Sequence, residues 1–565
     1  MASASCKVDE PRVVIIGAGA GGLSCAIALI RKYGFRNFHI YDKGGDVGGT
    51  WRDNIYPGCS SDVGVPFFSL SSDLHDWKES HGSQEDILKY WVDLAKKYDL
   101  YPHISFNQKV TAVEWNAEEN HYRIVAQDTS TGNSAVSTAE IVVSAIGVLE
   151  TPRYARIPGV GNFKGEMFHS ARWDYGVDLR GKRVGVVGNG SSATQFVPKI
   201  AEEPTTQIVQ FCRSPHWIFP NLRKDYSSLK RWAFRNVPFL MRLHRWSHFL
   251  RHELLYAIIF GNSLLRQGLT QCLKLYMQYN APKKYLNKLI PNFPLGCKRT
   301  VFDTGYLKAL HQDNLDLNWD GIEEIVENGI LTKKGEKVPL DVLIFATGYA
   351  ADVYALPVRG TTKTIQEYFE EEKGPKAYLG TTVPGFPNFF MIFGPNTATG
   401  HTSVIFTNEV QIDYVLQLIR PILQRKILSL EVKRSAVNAY NEEIHSRLSR
   451  SVFTSCLSWY RVGGDGIVSN IFPGSGIRFW KLLRQPIWTD YLGNGVDRWT
   501  SSQLSRQRSW RALWVTVLFT SLIAFEFSNR ASTPSGAVFA TAIGFTRNAV
   551  DKVLNALPLL RSPWH

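Results

Sequence analysis

The sequence predicts an α/β fold in which parallel strands alternate with helices. Three observations predict it. Two glycine-rich turns each join an apolar strand pattern to a helical one, and a long basic helical stretch interrupts the later strand patterns. At 565 residues the chain has room for about three to four domains with large cores. Hydrophobic residues are 44% and charged residues 20%, a mix that excludes wholesale disorder. The 45 glycines follow no repeat, which excludes a collagen-like rod.

The elements follow in order. Lys7, Asp9 and Glu10 interrupt the start, so no signal peptide is expected. Arg12 to Ile16 is a short apolar run suited to a buried parallel strand, with a helix over Leu23 to Tyr33 and a strand over Phe38 to Asp42. An amphipathic helix is expected over Asp86 to Tyr98, an antiparallel pair over Val110 to Trp115 and His121 to Gln127, and a buried strand over Ile141 to Ile146. A second strand–turn–helix–strand unit starts at Lys182, with its helix over Thr194 to Ala201 and its next strand over Ile208 to Cys212. Leu229 to Tyr279 is aromatic, basic and helical, an inserted subdomain. Val338 to Ala346 returns to strand. Ser501 to Ser509 reads as a linker, and Ala512 to Phe525 is an uncharged run followed by a second over Ala531 to Thr546.

Gly17, Gly19 and Gly22 fit GxGxxG between strand and helix. The first glycine makes the tight turn, the second lets backbone approach a pyrophosphate, and the third lets helix and strand pack closely. Asp42 ends the next strand 20 residues after Gly22, where an acid accepts from a ribose hydroxyl. The alternative is a glycine-rich turn with a solvated Asp42. Gly188, Gly190 and Ala193 repeat the frame, and here the following strand ends in Arg213. A guanidinium there can grip a 2′-phosphate, which favours NADPH over NADH, unless Arg213 is merely a surface arginine. Two dinucleotide sites predict a two-cofactor oxidoreductase. The seven cysteines include no CxxC, so no metal ribbon or redox dithiol is expected, and electrons pass to oxygen or directly to a substrate. An odd, scattered set of cysteines suits a reducing compartment.

The net charge of +14 is uneven. Arg223 to Lys288 carries 13 Lys/Arg against Asp225 and Glu253, and the segment from Arg498 onward carries 8 against Glu526 and Asp551. Such patches fit nucleic acid, an anionic membrane surface, or simply solvated helical faces.

Phe163 to Asp174, FKGEMFHSARWD, fits FxGxxxHxxxWD and resembles the fingerprint of the Baeyer–Villiger monooxygenases, flavoproteins that turn ketones into esters or lactones. Gly48 to Asp62, GGTWRDNIYPGCSSD, is similar to the family's second motif, and the resemblance continues through CKRTVFDTGY, FATGY, FPNFFMIFGPN and SWY. It covers Arg12 to about Tyr491, and the tail after Ser501 lies outside it. The resemblance implies that Thr50, Trp51 and Asp62 line FAD, and that Asp62 holds Arg299, which faces the flavin and steadies the oxygen-derived anion there. It implies that Lys298 joins Arg213 on the NADPH 2′-phosphate, that His169 lies at the hinge between cofactor domains, and that Trp459 rides a mobile loop touching NADP. Val110 on the FAD side and Ser191, Ser192 and Ser214 on the NADPH side complete the cofactor-binding set. The bland alternatives are an ordinary Asp62–Arg299 ion pair and a core Trp459. Phe68 stands where the family usually has a tyrosine near the flavin.

The resulting expectation is two Rossmann-like dinucleotide-binding domains, for FAD and NADPH, with a helical insert and a C-terminal hydrophobic tail. The boundaries are 1–150 and 345–500 for FAD, 151–222 and 296–344 for NADPH, 223–295 for the insert and 501–565 for the tail. The expected reaction is NADPH- and O2-dependent oxidation of a bulky, apolar ketone, such as a terpenoid or polyketide ketone of secondary metabolism, with no metal and no nucleic acid. Alternatives are heteroatom oxygenation of an amine or sulfide, and a membrane- or RNA-binding protein with a vestigial flavin fold. The tail is expected to tether the enzyme to the cytosolic side of a membrane by an interfacial or re-entrant helix, since 14 uncharged residues make a helix of about 21 Å against a core of about 30 Å. Arg506, Arg508 and Arg511 with Trp510 and Trp514 suit such an interface.

Overall fold

The computed structural model describes residues 10–530. Val13–Ile16 (β1) is buried at all four positions, as a central parallel strand requires. It feeds Ala20–Tyr33 (α1) and then Phe38–Tyr41 (β2). Gln84–Lys97 (α2) packs beside α1, capped by Ser83, whose hydroxyl accepts from the Asp86 amide. Ile104–Ser105 (β3) precedes an antiparallel ribbon of Gln108–Asn116 (β4), His121–Asp128 (β5) and Ser134–Ala139 (β6). Ile141–Ser144 (β7) returns to the core.

Glu166–His169 (β8), Arg183–Val187 (β9), Ser191–Ala201 (α3) and Gln207–Phe211 (β10) build the second unit. The basic stretch forms Ser228–Asn236 (α4), Pro238–Tyr256 (α5) and Ser263–Asn280 (α6), with a π-helical turn over Ala257–Gly261 between the last two. Leu315–Asn318 (β11), Val342–Phe345 (β12), Phe389–Met391 (β13), Val404–Leu423 (α7) and Val496–Arg530 (α8) follow.

Two all-parallel five-stranded sheets result, in the orders β13-β7-β1-β2-β3 and β11-β10-β9-β12-β8. Each is covered by helices, and each has its own apolar core. β13 joins the first sheet although its chain position follows the whole second sheet. The passages between the sheets run side by side, with Arg153 N–H donating to the Gly348 carbonyl at 2.8 Å and Ala350 N–H to Thr151 at 2.9 Å.

Two local expectations change. Val338 to Ala346 is two strands: Lys337–Pro339 pairs antiparallel with Gly329–Leu331, and β12 begins after a turn at Asp341. The Asp341 carboxylate pins that turn to Arg183, through its amide at 2.9 Å and its guanidinium at 2.7 and 3.0 Å. Ser501 to Ser509 is helical, inside α8, because no glycine or proline occurs between Val496 and Arg530 to break it. Among the described residues no helix is long and apolar enough to cross a membrane. The second uncharged run, Ala531 to Thr546, lies outside the described residues, as do the side chains of Arg506, Arg508, Trp510, Arg511 and Trp514.

The cysteines are not all separate thiols. Cys297 and Cys456 form a disulfide across 159 residues, while Cys25, Cys59, Cys212 and Cys272 are free. A scattered pattern along the chain hides a pairing that only the fold creates.

Candidate active site

Both glycine turns have the geometry that needs glycine. Gly17 has φ +108°, and a Cβ on it would lie 2.7 Å from the Ala145 carbonyl oxygen. A Cβ on Gly22 would lie 1.8 Å from the Gly17 oxygen, so nothing larger permits the helix to start there. In the second turn Gly188 has φ +113° and the same constraint against Ala346. Gly190, by contrast, faces open space. The N-caps of α1 and α3 are Gly19 and Gly190, with no side chain on their first amides, which leaves those amides for an anion. Ser191 and Ser192 open α3, and Ala193 is buried behind them.

Asp42 ties its turn together. Its carboxylate accepts from the Ala18 amide at 2.7 Å, the Gly44 amide at 2.8 Å and the Arg52 guanidinium at 2.8 Å. It is buried, not solvated. Oδ1 takes two of these donors and Oδ2 one, so one acceptor position on Oδ2 remains for a hydroxyl. Arg52 was not anticipated as a partner. Thr50 and Trp51 begin the short helix Thr50–Asp53, and the Trp51 ring meets Phe68 edge-on at 5.4 Å. The Val110 side chain is buried in a cluster with Val14 and Ile16, and the residue stands opposite Ala126 in the β4–β5 ribbon.

On the other side Arg213 is exposed just past β10. Lys298 donates to the Ser214 hydroxyl at 2.8 Å, and Asn189 of the glycine turn holds the Ser214 carbonyl at 3.0 Å. The fold thus gathers Asn189, Arg213, Ser214 and Lys298 at one turn. Burial, and then the Arg213 charge, push the Lys298 ammonium down to about 8.

Between the two turns Arg299 donates twice to Asp62 Oδ2, from Nε at 3.1 Å and Nη2 at 2.9 Å, across 237 residues of chain. About a third of the Arg299 side chain remains accessible, 36%. Asp62 holds its pKa up, against burial. The buried Tyr460 phenol lies within electrostatic reach of the pair: burial pushes it up to about 12, Arg299 opposes and Asp62 adds. His81 lies close enough for Asp62 to raise its pKa, though burial lowers it overall, and Ser80 holds its Nδ1 at 3.0 Å. Trp459, beside Tyr460, is 41% exposed, which overturns the core alternative. The disulfide ties the segment carrying Lys298 and Arg299 to the loop carrying Trp459 and Tyr460. Tyr460, His81 and the disulfide were not legible as site features. The only sequence trace of the disulfide was the closeness of each cysteine to a motif.

His169 ends β8 and is fully buried, and its Nδ1 accepts from the Ala171 amide at 3.0 Å. Burial, and then Arg172, push it down to about 4, so it is neutral. Its ring stands edge-on to Tyr154 and Tyr349, one from each passage between the sheets. A cleft at the carboxyl ends of β7 and β13, lined by Gly147, Thr151, Tyr354, Phe393 and Asn470, is where an open parallel sheet takes its ligand. The first turn, this cleft and the remaining acceptor of Asp42 fit the flavin dinucleotide. The second turn, with two cations beside it, fits a nicotinamide dinucleotide with an extra phosphate.

Residues 10–362 match the model of the flavin-binding monooxygenase-like family. The chain is 36% identical, over 84% of its length and 90% of the relative's, to a Baeyer-Villiger monooxygenase of Pseudomonas aeruginosa. It is 34% identical to the FAD-binding monooxygenase ktnD of Aspergillus niger, over 86% of this chain and 82% of that one. The crystal structure of OTEMO in complex with FAD and NADP is similar to it with a TM-score of 0.75 at 27% identity, covering 84% of this chain and 97% of that one.

Proposed function

The chain belongs to the flavin-binding monooxygenase-like family, and from that premise we propose that it uses NADPH and O2 to insert one oxygen atom beside the carbonyl of a bulky, apolar ketone, the Baeyer–Villiger reaction. The observation that carries the reading is the Asp62–Arg299 pair, set between two dinucleotide turns. Bound FAD, reduced by NADPH, supplies the oxygen chemistry. Residues 1–150 and 345–500 hold the FAD, on the first glycine turn, Asp42, Thr50, Trp51 and Val110. Residues 151–222 and 296–344 hold NADPH, with Arg213 and Lys298 on its 2′-phosphate. Arg299 presents a fixed cation, because Asp62 takes two of its five N–H donors and the rest stay available for an anionic oxygen. The permanent charge of Arg299 favours keeping that oxygen deprotonated, the form that attacks carbonyls. His169 couples the two passages between the sheets, and Trp459 meets the nicotinamide dinucleotide.

The test is product analysis with the purified enzyme, NADPH and a panel of cyclic and side-chain ketones alongside sulfides. An ester or lactone one oxygen heavier than the ketone is the expected result. Sulfoxide as the sole product overturns the ketone assignment. NADPH consumption with no oxygenated product overturns the monooxygenase assignment for this substrate class. We also place the enzyme on the cytosolic face of a membrane through residues after Gln503, with Leu518, Phe519, Leu522 and Ile523 exposed on α8 in support. Identical partitioning of full-length and tail-deleted enzyme between soluble and membrane fractions overturns that attachment.

A further inference from the structure

The insert is amphipathic in an unusual sense. On α5 the residues turned to the protein include Arg245, His248, Phe249 and His252. Arg245 donates to the Pro66 and Ser69 carbonyls at 2.6 Å each and pairs with Glu409 at 2.9 Å. His248 fills the space above Gly64, where a Cβ would lie 2.8 Å from its ring. The outward positions are Phe239, Leu243, Trp246, Leu250 and Leu254, at steps of four, three, four and four. Leu243, Leu250 and Leu254 are 53%, 59% and 62% exposed. Arg242 and Arg251 flank this stripe on its two sides. α6 repeats the pattern with exposed Leu264, Leu265, Leu275 and Tyr279, and α4 adds Leu229 and Trp232.

We propose that this outer face of the insert docks on an anionic phospholipid bilayer, lying in its interface and not crossing it. Charge selects the occupant. The insert region carries 13 Lys/Arg against two acids; Arg223, Arg231, Arg235, Arg245 and Lys284 are paired with acids outside it, and exposed Lys224, Arg251, Lys274, Lys283 and Lys288 keep its surface positive. A second copy of the same face would set cation against cation across a two-fold axis. Nucleic acid would reward the cations but leave three helices of leucine, phenylalanine and tryptophan in water. An anionic bilayer rewards both, through headgroup charge and burial of apolar side chains at the acyl boundary. The π-helical turn between α5 and α6 sets Ile259 and Phe260 against Gly296, beside the disulfide and two residues before Lys298. The docked insert therefore packs directly on the segment that carries the site, which serves the apolar ketone proposed above, although vesicle binding itself does not rest on that reading.

The experiment is flotation of the full chain with vesicles of phosphatidylcholine and phosphatidylserine, and of phosphatidylcholine alone, at low and high salt. The wild type is expected to float with anionic vesicles, and to do so less in high salt. Substituting Leu243→Gln, Leu250→Gln and Leu254→Gln together should cut bound protein at least tenfold while bound flavin stays at the wild-type level. Because these side chains already face water, the fold does not depend on them. Arg251→Gln is the second variant, expected to lose part of the preference for anionic over neutral vesicles. Undiminished flotation of the triple variant overturns the proposal. So does a wild type that ignores anionic vesicles, or one that forms a dimer dispersed by the triple substitution.

Discussion

At the scale of single residues, Arg299 and Lys298 are neighbours with separate tasks. Arg299 is fixed by Asp62 from the other half of the chain, and Lys298 turns to Ser214 at the second glycine turn. Arg299→Ala should leave reduction of the flavin by NADPH near its wild-type rate and slow oxygen transfer about 100- to 1,000-fold, the usual cost of removing one donor aimed at a forming anion. Stopped-flow reduction and product yield separate the two effects, and wild-type oxygenation would remove Arg299 from the reaction. Lys298 makes a pH prediction. Its ammonium has been pushed down to about 8 by burial and then by Arg213, so it is charged below that pH and neutral above it. The kcat/KM for NADPH should therefore fall as pH rises through about 8. NADH lacks the phosphate, so its profile should not share that fall, and the NADPH-to-NADH ratio should shrink. A ratio constant from pH 7 to pH 9, as an order-of-magnitude range around the titration, would place Lys298 away from the phosphate.

At the scale of elements, the glycine turns carry the clearest contrast. A Cβ on Gly188 meets the Ala346 carbonyl oxygen at 2.5 Å, whereas a Cβ on Gly190 meets nothing within 4 Å. Gly190→Ala should therefore keep its thermal stability and its flavin while raising the KM for NADPH at least about tenfold, because only a pyrophosphate needs that space. An unchanged KM would mean the coenzyme does not lie on this turn. These turns were legible in sequence because their meaning is local: strand, glycines and helix follow one another without a break from Val13 to Tyr33. The Asp62–Arg299 pair was legible only through family resemblance, since 237 residues separate its members. Arg52 on Asp42 and Tyr460 within electrostatic reach of Arg299 were not legible, because no local periodicity encodes them. The serine-rich stretch before Trp510 was misread as a linker, since composition says polar where the absence of any breaker says helix. The insert was read correctly as helical and basic, but which face turned outward depended on Arg245 finding partners inside and His248 packing over Gly64.

At the scale of the whole molecule, the Cys297–Cys456 bond closes a loop of 159 residues that contains β11 to β13 and α7. Restricting the unfolded chain that much is worth about 5 kcal/mol in the chain-entropy model. Reductant should accordingly lower the melting temperature of the wild-type holoenzyme by a few degrees, and Cys297→Ser should melt at the same temperature with or without reductant. A wild-type melt indifferent to reductant would show that the bond contributes nothing to stability. The order of strands in the first sheet has another consequence, one of timing. β7 leaves the ribosome long before β13, its neighbour at the sheet edge, because the entire second sheet and the insert are translated between them. At roughly 5 to 20 residues per second, that interval is roughly 12 to 50 s. For that time the nascent chain carries an unpaired apolar strand edge, so the yield of folded enzyme is decided during synthesis by whatever shelters Ile141 to Ser144 until Phe389 arrives.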